Sequence, residues 1–146
     1  MGLVKNELHR FKYVYDFDED GGAVSNISLR PDGNSIPSGF VIRSVSVYVA
    51  TAITSGGTPT ITFGNSDNRD GYLEDVVSAM GLTAGSSIRE GEVAGALLWD
   101  DTNDHALEYV VPSEAVGVPS MTVGANALTA GALVLYIDGY LPGAAS

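Results

Sequence analysis

An acidic stretch near the start of the chain has the spacing of a calcium-binding loop. Asp16, Asp18 and Asp20 alternate with other residues and are followed by Gly21, in the order D-x-D-x-D-G. Carboxylates at alternate positions can converge on one hard cation where a glycine lets the chain turn sharply. The twelfth position of the loop is Ile27 instead of the glutamate that completes such a site. Two interpretations remain open: a calcium site formed by these aspartates, or a solvated acidic turn.

The other polar residues show no spacing typical of a catalytic site. His9 and His105 lie far apart in the chain, and there is no cysteine. A nucleophile needs a base and a group that orients the base, and the spacing nominates no such partners. Residues 65–70 are interpreted as an oxygen-rich entry to a helix, and residues 100–104 as a hairpin tip. The single Trp99 is expected in the core or at an interface. We therefore expect no enzymatic activity.

Composition excludes several classes of partner. The chain has 146 residues, seven of them basic and 18 acidic, and a formal net charge of −11. Binding to nucleic acid needs a basic patch, so no nucleic acid partner is expected. No apolar run approaches the roughly 18 residues of a membrane-spanning helix, and we expect no membrane partner. The first residues lack an apolar signal core, which predicts synthesis in a cytoplasm.

The segment 40–63 is the clearest structural element in the sequence. Val45, Val47 and Val49 alternate with polar residues or tyrosine, which predicts a strand with its valines in the core. Residues 55–58, Ser-Gly-Gly-Thr, suit a tight turn, and Thr60 to Phe63 resume the alternation. We interpret the whole segment as a β-hairpin.

The rest of the chain predicts further short strands and one helix. Apolar residues at Leu73, Val76, Val77 and Met80 follow the i, i+3, i+4, i+7 spacing of a helix over residues 72–80. Turn residues recur every 8–12 positions or so, as in sandwiches and jelly rolls. The predicted fold class is all-β, a single-domain antiparallel β-sandwich or jelly roll with one short helix, formed by residues 11–146.

Residues 1–10 lack the period of two that begins at Phe11, and they are predicted to form an N-terminal arm. The arm carries Lys5 and Arg10 on an otherwise acidic chain. Exposed ion pairs contribute only about 0–1 kcal/mol each, so attachment through the arm also needs apolar burial. The predicted interface residues are Leu3, Val4, Lys5, Leu8 and Arg10.

Three groups of short motifs resemble those of small virion structural proteins of tailed bacteriophages. They are Tyr15-Asp-Phe-Asp with Gly21-Gly22 and Ile27-Ser-Leu-Arg30; Ile36-Pro-Ser-Gly39 with Ser55-Gly-Gly-Thr58; and Val123-Gly with Leu128-Thr-Ala-Gly131 and Gly139-Tyr-Leu-Pro142. The resemblance is to the capsid decoration (cement) or head-fibre kind and covers about half of the chain. It implies no catalytic residues, and the segment 64–111 has no matching motif.

The resemblance implies a viral structural protein that binds and stabilises the outer surface of a phage capsid. The implied partners are the major capsid protein and further copies of the chain, as a homotrimer. The implied location is the virion surface, after synthesis in the host cytoplasm. Two other functions remain as alternatives: a carbohydrate- or receptor-binding β-sandwich module, and a hydrolase with a carboxylate pair.

Overall fold

Strands with alternating buried and exposed residues form the framework of the protein. The computed structural model describes residues 5–77, 82–89, 93–103 and 105–143, and these form an all-β sandwich, as predicted from the sequence. They contain two short helices, where the sequence predicted one. The elements in chain order are β1 (Leu8–Asp16), α1 (Phe17–Asp20), β2 (Asn26–Ser28), β3 (Arg30–Pro31), β4 (Val41–Ser55), β5 (Thr60–Gly64), β6 (Ser87–Arg89), β7 (Trp99–Asp100), β8 (His105–Ala106), β9 (Tyr109–Val110), α2 (Glu114–Gly117), β10 (Ser120–Gly124) and β11 (Leu128–Tyr140).

The larger sheet is built around its last strand. Its order is β3-β1-β11-β4-β6, and β9 also pairs with β4. β11 pairs antiparallel with β1 along one edge and with β4 along the other. Successive side chains of a strand point to opposite faces, and Val45, Val47 and Val49 are fully buried while Ser44 and Ser46 are half-buried. The predicted orientation of β4 is confirmed.

The smaller sheet closes the sandwich over these buried side chains. Its order is β2-β10-β5, with antiparallel pairing throughout. Ile61 and Phe63 of β5 and Met121 and Val123 of β10 belong to the same buried cluster as the valines of β4. The sandwich therefore has one core, formed by the inner faces of both sheets.

The segment 40–63 forms both predicted strands, but the predicted hairpin was wrong. β4 pairs with β11, β6 and β9, whereas β5 pairs with β10 in the smaller sheet. Other strands occupy both edges of β4, so the chain crosses between the sheets at residues 55–58. Asn126 Nδ2 donates to the Thr58 carbonyl at 3.1 Å and so holds this crossing.

The helix predicted over residues 72–80 was also wrong for the part that the structure describes. Residues 72–77 are not helical, and residues 78–80 lie outside the described residues. Leu73 forms isolated bridges with Phe63 and Ala94, and Tyr72, Leu73 and Val76 are buried. The residues with this apolar spacing therefore belong to an irregular segment, and their side chains are buried beside β5. No helix among the described residues is long and apolar enough to cross a membrane.

The two ends of the described chain lie side by side. β1 begins at Leu8, so residues 8–10 of the predicted arm pair with residues 138–140. The Asn6 amide donates to the Leu141 carbonyl at 2.9 Å, and the Asn6 side chain exchanges two hydrogen bonds with Gly143, of 3.3 and 3.1 Å. Residues 1–4 lie outside the described residues. A separate role for the arm in assembly stays a prediction.

Candidate interaction surface

Two of the three aspartates of the predicted calcium loop use their carboxylates for other contacts in the structure. Asp16 Oδ1 accepts from the Asp18 amide at 3.0 Å and caps α1. The Asp20 carboxylate accepts from Arg30 Nε and Nη2 at 3.1 and 3.0 Å, and from the Asp16 amide at 2.9 Å. In the described part of the chain, no group of three or more His, Cys, Asp or Glu residues is placed to hold a metal ion. The calcium interpretation rests on the sequence pattern alone.

Asp20 is held in its ionised form by these contacts. Burial acts to raise the pKa of Asp20, but the hydrogen bonds from Arg30 and from the Asp16 amide outweigh it, and the pKa lies below its ordinary value. Nearby, Tyr15 Oη donates to the Gly21 carbonyl at 2.6 Å. Burial, followed by the charges of Asp20 and Asp16, raises the pKa of Tyr15 to about 12. This corner therefore joins α1 to β1 and β3 and is structural in character.

The other two polar loops are turns closed by side-chain oxygens. Asn65 Oδ1 accepts from the Asp67 and Asn68 amides at 2.9 and 3.0 Å. Asp100 Oδ1 accepts from the amides of residues 102 and 103 at 3.0 and 3.1 Å, at the tip of the predicted hairpin, where β7 pairs with β8. Such bonds let Asn and Asp stabilise a turn locally. The helix entry expected at residues 65–70 is absent, whereas the hairpin tip is confirmed.

The larger sheet presents a second face, opposite the core, which we call the outer sheet face. Residues paired across neighbouring strands lie on the same side of a sheet, and the register therefore arranges the outward residues in rows. The end row lies at the start of β1 and consists of Leu8, Tyr140, Val41 and Val110. Leu8 and Val110, at the two ends of this row, are 71% and 57% exposed.

A second apolar row crosses the sheet further along the strands. This valine row consists of Val14, Val134 and Tyr48, with Ser87 of β6 beside Tyr48. Val14 and Val134 are half-buried and Tyr48 is 40% exposed. The outer sheet face thus has apolar side chains along two separate lines.

Two charged rows lie between the apolar rows. Arg10 Nε and Nη2 donate to the two carboxylate oxygens of Asp138 at 2.7 and 2.9 Å, and the Arg10 guanidinium lies 4.8 Å from the centre of the Tyr136 ring. Lys12 Nζ lies 3.1 Å from Asp32 Oδ2. The two rows consist of Arg10, Asp138 and Ser44, and of Lys12, Tyr136, Ser46 and Arg89.

A bulge in β4 lies between the end row and the neighbouring charged row of the outer sheet face. Asp138 pairs with Ser44 but Gly139 pairs with Ile42, so Arg43 is the extra residue. A Cβ on Gly139 would overlap the Val41 carbonyl, and only glycine allows this close approach. Arg43 Nε lies 2.8 Å from Glu108 Oε2. A shallow cavity of about 360 Å³ lies beside this ion pair, lined by Asn6, Leu8, Arg43, Glu108 and Tyr140.

The predicted interface residues are only partly brought together. Leu8 and Arg10 lie on the outer sheet face, Lys5 is exposed beside Gly143, and Leu3 and Val4 lie outside the described residues. Trp99 is half-buried in β7. Sequence reasoning missed the valine row, since Val14 and Tyr48 became neighbours of Val134 only through the register of three strands. The only signal in the sequence was that Val14 and Val134 fall at outward positions in the alternating patterns of their strands.

The fold is similar to that of chains in two bacteriophage capsid structures. One is the cyanophage Pam1 capsid asymmetric unit, with a TM-score of 0.64, 16% sequence identity, and coverage of 97% of this chain and 89% of that chain. The other is the acidic stable capsid structure of Helicobacter pylori bacteriophage KHP30, with a TM-score of 0.53, 18% identity, and coverage of 96% and 92%. At these identities the likeness shows a shared fold and not a shared function. No family model and no curated protein matches the sequence.

Proposed function

We propose that the protein is a non-enzymatic structural protein of a bacteriophage virion, and that it binds and stabilises the outer surface of the capsid. The observation that carries the proposal is the match of the whole fold, over 97% and 96% of this chain, to chains from two phage capsid structures. The motif resemblance in the sequence supports the same class independently of the three-dimensional comparison.

The distribution of charge supports a place on an outer surface. The chain carries a net charge of −11, and the polar loops at residues 65–70 and 100–103 project exposed carboxylates. An acidic surface that faces solvent keeps neighbouring particles apart by like-charge repulsion. A decoration protein needs such a solvent side together with an attachment side of different character.

The proposed partner is the major capsid protein, and the predicted arm is the proposed point of attachment. Leu3 and Val4 supply apolar side chains, each worth about 1.5–3 kcal/mol when fully buried, and Lys5 supplies a charge. The homotrimer expected from the sequence remains a prediction for the capsid-bound state.

Mixing the protein with capsids assembled without it tests the proposal. We expect sedimentation of the protein with the capsids and new density on the outer surface in electron microscopy. The matched variant deletes residues 2–4, and it is expected to lose occupancy while retaining its melting temperature. Absence of the protein from washed capsids would contradict the proposal, and binding to isolated glycans instead would support the carbohydrate-binding alternative.

A further inference from the structure

We propose that the outer sheet face binds a second copy of this chain, face to face, across a twofold axis that runs parallel to the strands. The proposal concerns the isolated protein and does not depend on the capsid role. It rests on the distribution of charge, the positions of the exposed apolar side chains, the symmetry of the rows and the area that they cover.

The outer sheet face is the part of the molecule where two copies repel each other least. Arg30 pairs with Val14 and so lies on the same face. Five of the seven basic residues are thus on this face with five acidic partners, so these charges sum to zero and leave −11 for the rest of the chain. Contact through other surfaces would bring like charges together. These ten residues are Arg10, Lys12, Arg30, Arg43, Arg89, Glu19, Asp20, Asp32, Glu108 and Asp138.

Exposed apolar residues concentrate on the same face. Among the described residues, four large hydrophobic side chains are exposed, and Leu8, Tyr48 and Val110 lie on strands of the larger sheet. The fourth, Val24, is 55% exposed in the loop before β2. Leu8 and Val110 lie at the two ends of the end row, and Tyr48 lies in the valine row beyond the two charged rows. A partner that covers both apolar rows must therefore also cover the charged rows between them.

A second copy has the matching pattern. A twofold axis in the interface, parallel to the strands and between β11 and β4, places each row against the same row of the other copy in reverse order. Leu8 then faces Val110, and Val134 faces Tyr48. Apolar rows therefore meet apolar rows. In the charged rows Asp138 faces Ser44, and Lys12, which keeps its ion pair with Asp32, faces Arg89. The cavity of about 360 Å³ beside Leu8 offers room for the Val110 side chain of the second copy.

The covered area is that of a weak dimer. Four rows about 6.8 Å apart and four strands about 4.8 Å apart cover about 500 Å² on each copy. Two such faces bury about 1,000 Å² in total, close to the lower limit for specific protein interfaces. We therefore expect a dissociation constant in the micromolar range. The self-complementary rows favour this dimer over the trimer expected from the sequence for the isolated protein.

Sedimentation equilibrium of the full chain and of two valine variants tests the proposal. Val110→Glu places a charge at the end of the end row, and Val24→Glu places the same charge at a site of nearly equal exposure outside the face. We expect wild-type protein and Val24→Glu to dimerise alike, and Val110→Glu to weaken the dimer by about tenfold or more, as truncation or mispairing at interface hot spots does. Unchanged melting temperatures would show that all three proteins are folded.

A charge-pair experiment tests the axis. Leu8→Lys alone should also weaken the dimer, and Leu8→Lys combined with Val110→Glu should restore much of it, because the two side chains face each other across the interface. A monomeric wild-type protein, or equal dimerisation of Val110→Glu and Val24→Glu, would overturn the proposed face. A double variant as weak as the single variants would overturn the axis parallel to the strands.

Discussion

Asn65 and Tyr72 share a hydrogen bond inside the protein: Asn65 Nδ2 lies 3.0 Å from Tyr72 Oη, and neither side chain is exposed. The Tyr72 ring also packs edge-on against the Tyr109 ring, with 6.1 Å between the ring centres. Burial raises the pKa of Tyr72, so its hydroxyl stays protonated over the whole neutral range. The pair fixes the segment after β5 against the larger sheet.

Replacing Asn65 by Ala should destabilise the fold substantially. The variant loses the bond to Tyr72 and the two bonds that Asn65 Oδ1 accepts from backbone amides. Buried groups left without partners cost about 1–3 kcal/mol each, and we expect a loss of about 2–4 kcal/mol in the free energy of unfolding. Urea denaturation measures it, with the exposed Ser66→Ala as control. Equal midpoints for the two variants would show that the turn does not depend on Asn65.

A charge on the inner side of β4 should prevent folding, while the same charge next to it should not. Val47 is fully buried and Ser46 lies on the outer sheet face. Val47→Asp buries a carboxylate without a partner, and we expect a loss of more than about 4 kcal/mol. Ser46→Asp should retain the wild-type melting temperature in circular dichroism but weaken the proposed dimer. Normal melting of Val47→Asp would refute the orientation of β4.

Acid should weaken the protein through Asp20. Its pKa in the folded state lies below the ordinary value of 3.8, so the ionised carboxylate favours the folded state. This stabilisation is complete above the ordinary pKa and is lost as the pH falls through the lower, folded-state pKa. We expect Asp20→Asn to cost about 1–3 kcal/mol at neutral pH, from its hydrogen bonds to charged and backbone groups.

The pH profile of unfolding separates Asp20 from its neighbours. Asp20→Asn should flatten the decline of stability below pH 3.8. Asp18→Asn, at an exposed position of the same helix, is the matched control. If Asp20→Asn lost stability with acid as steeply as the wild type, the contact with Arg30 would not be the source of the acid sensitivity.

Two truncations separate the predicted arm from β1. Deleting residues 2–4 should leave the unfolding midpoint unchanged, as predicted for an arm that serves assembly. Deleting residues 2–10 removes the pairing of residues 8–10 with β11 and the contacts of Asn6 with Leu141 and Gly143. We expect that deletion to lower the melting temperature clearly. Equal melting of both truncated proteins would show that the first residues of β1 add little to the sheet.

Local patterns in the sequence predicted the strands better than their partners. Alternation at Val45, Val47 and Val49 fixes which face is buried, because the period of two depends only on neighbouring residues. The hairpin at residues 55–58 failed because strands from distant parts of the chain, β11 on one edge and β6 and β9 on the other, pair with β4, and a local pattern carries no signal for such partners. The helix predicted from the apolar spacing at residues 73–77 was wrong because these side chains are buried in an irregular segment that needs no helix.

The outer sheet face could not be predicted as a surface. Arg10 and Asp138 are 128 positions apart in sequence, and their ion pair exists only because β1 and β11 lie in register. The bulge at Arg43, opposite Gly139, then places Arg43 and Ser44 side by side at the surface. A local pattern gives the outward residues of one strand, whereas rows across four strands require the complete register.

The central position of β11 also constrains how the chain can fold during synthesis. β1 and β4 do not pair with each other, and β11 lies between them. Until residues 128–140 have been made, both earlier strands have an unpaired edge on the side that β11 will occupy. Unpaired edges of apolar strands readily pair with other chains, and folds dominated by such distant contacts form slowly. The ribosome-bound intermediate is thus the state most exposed to aggregation, and chaperone binding during translation should concentrate on β1 and β4.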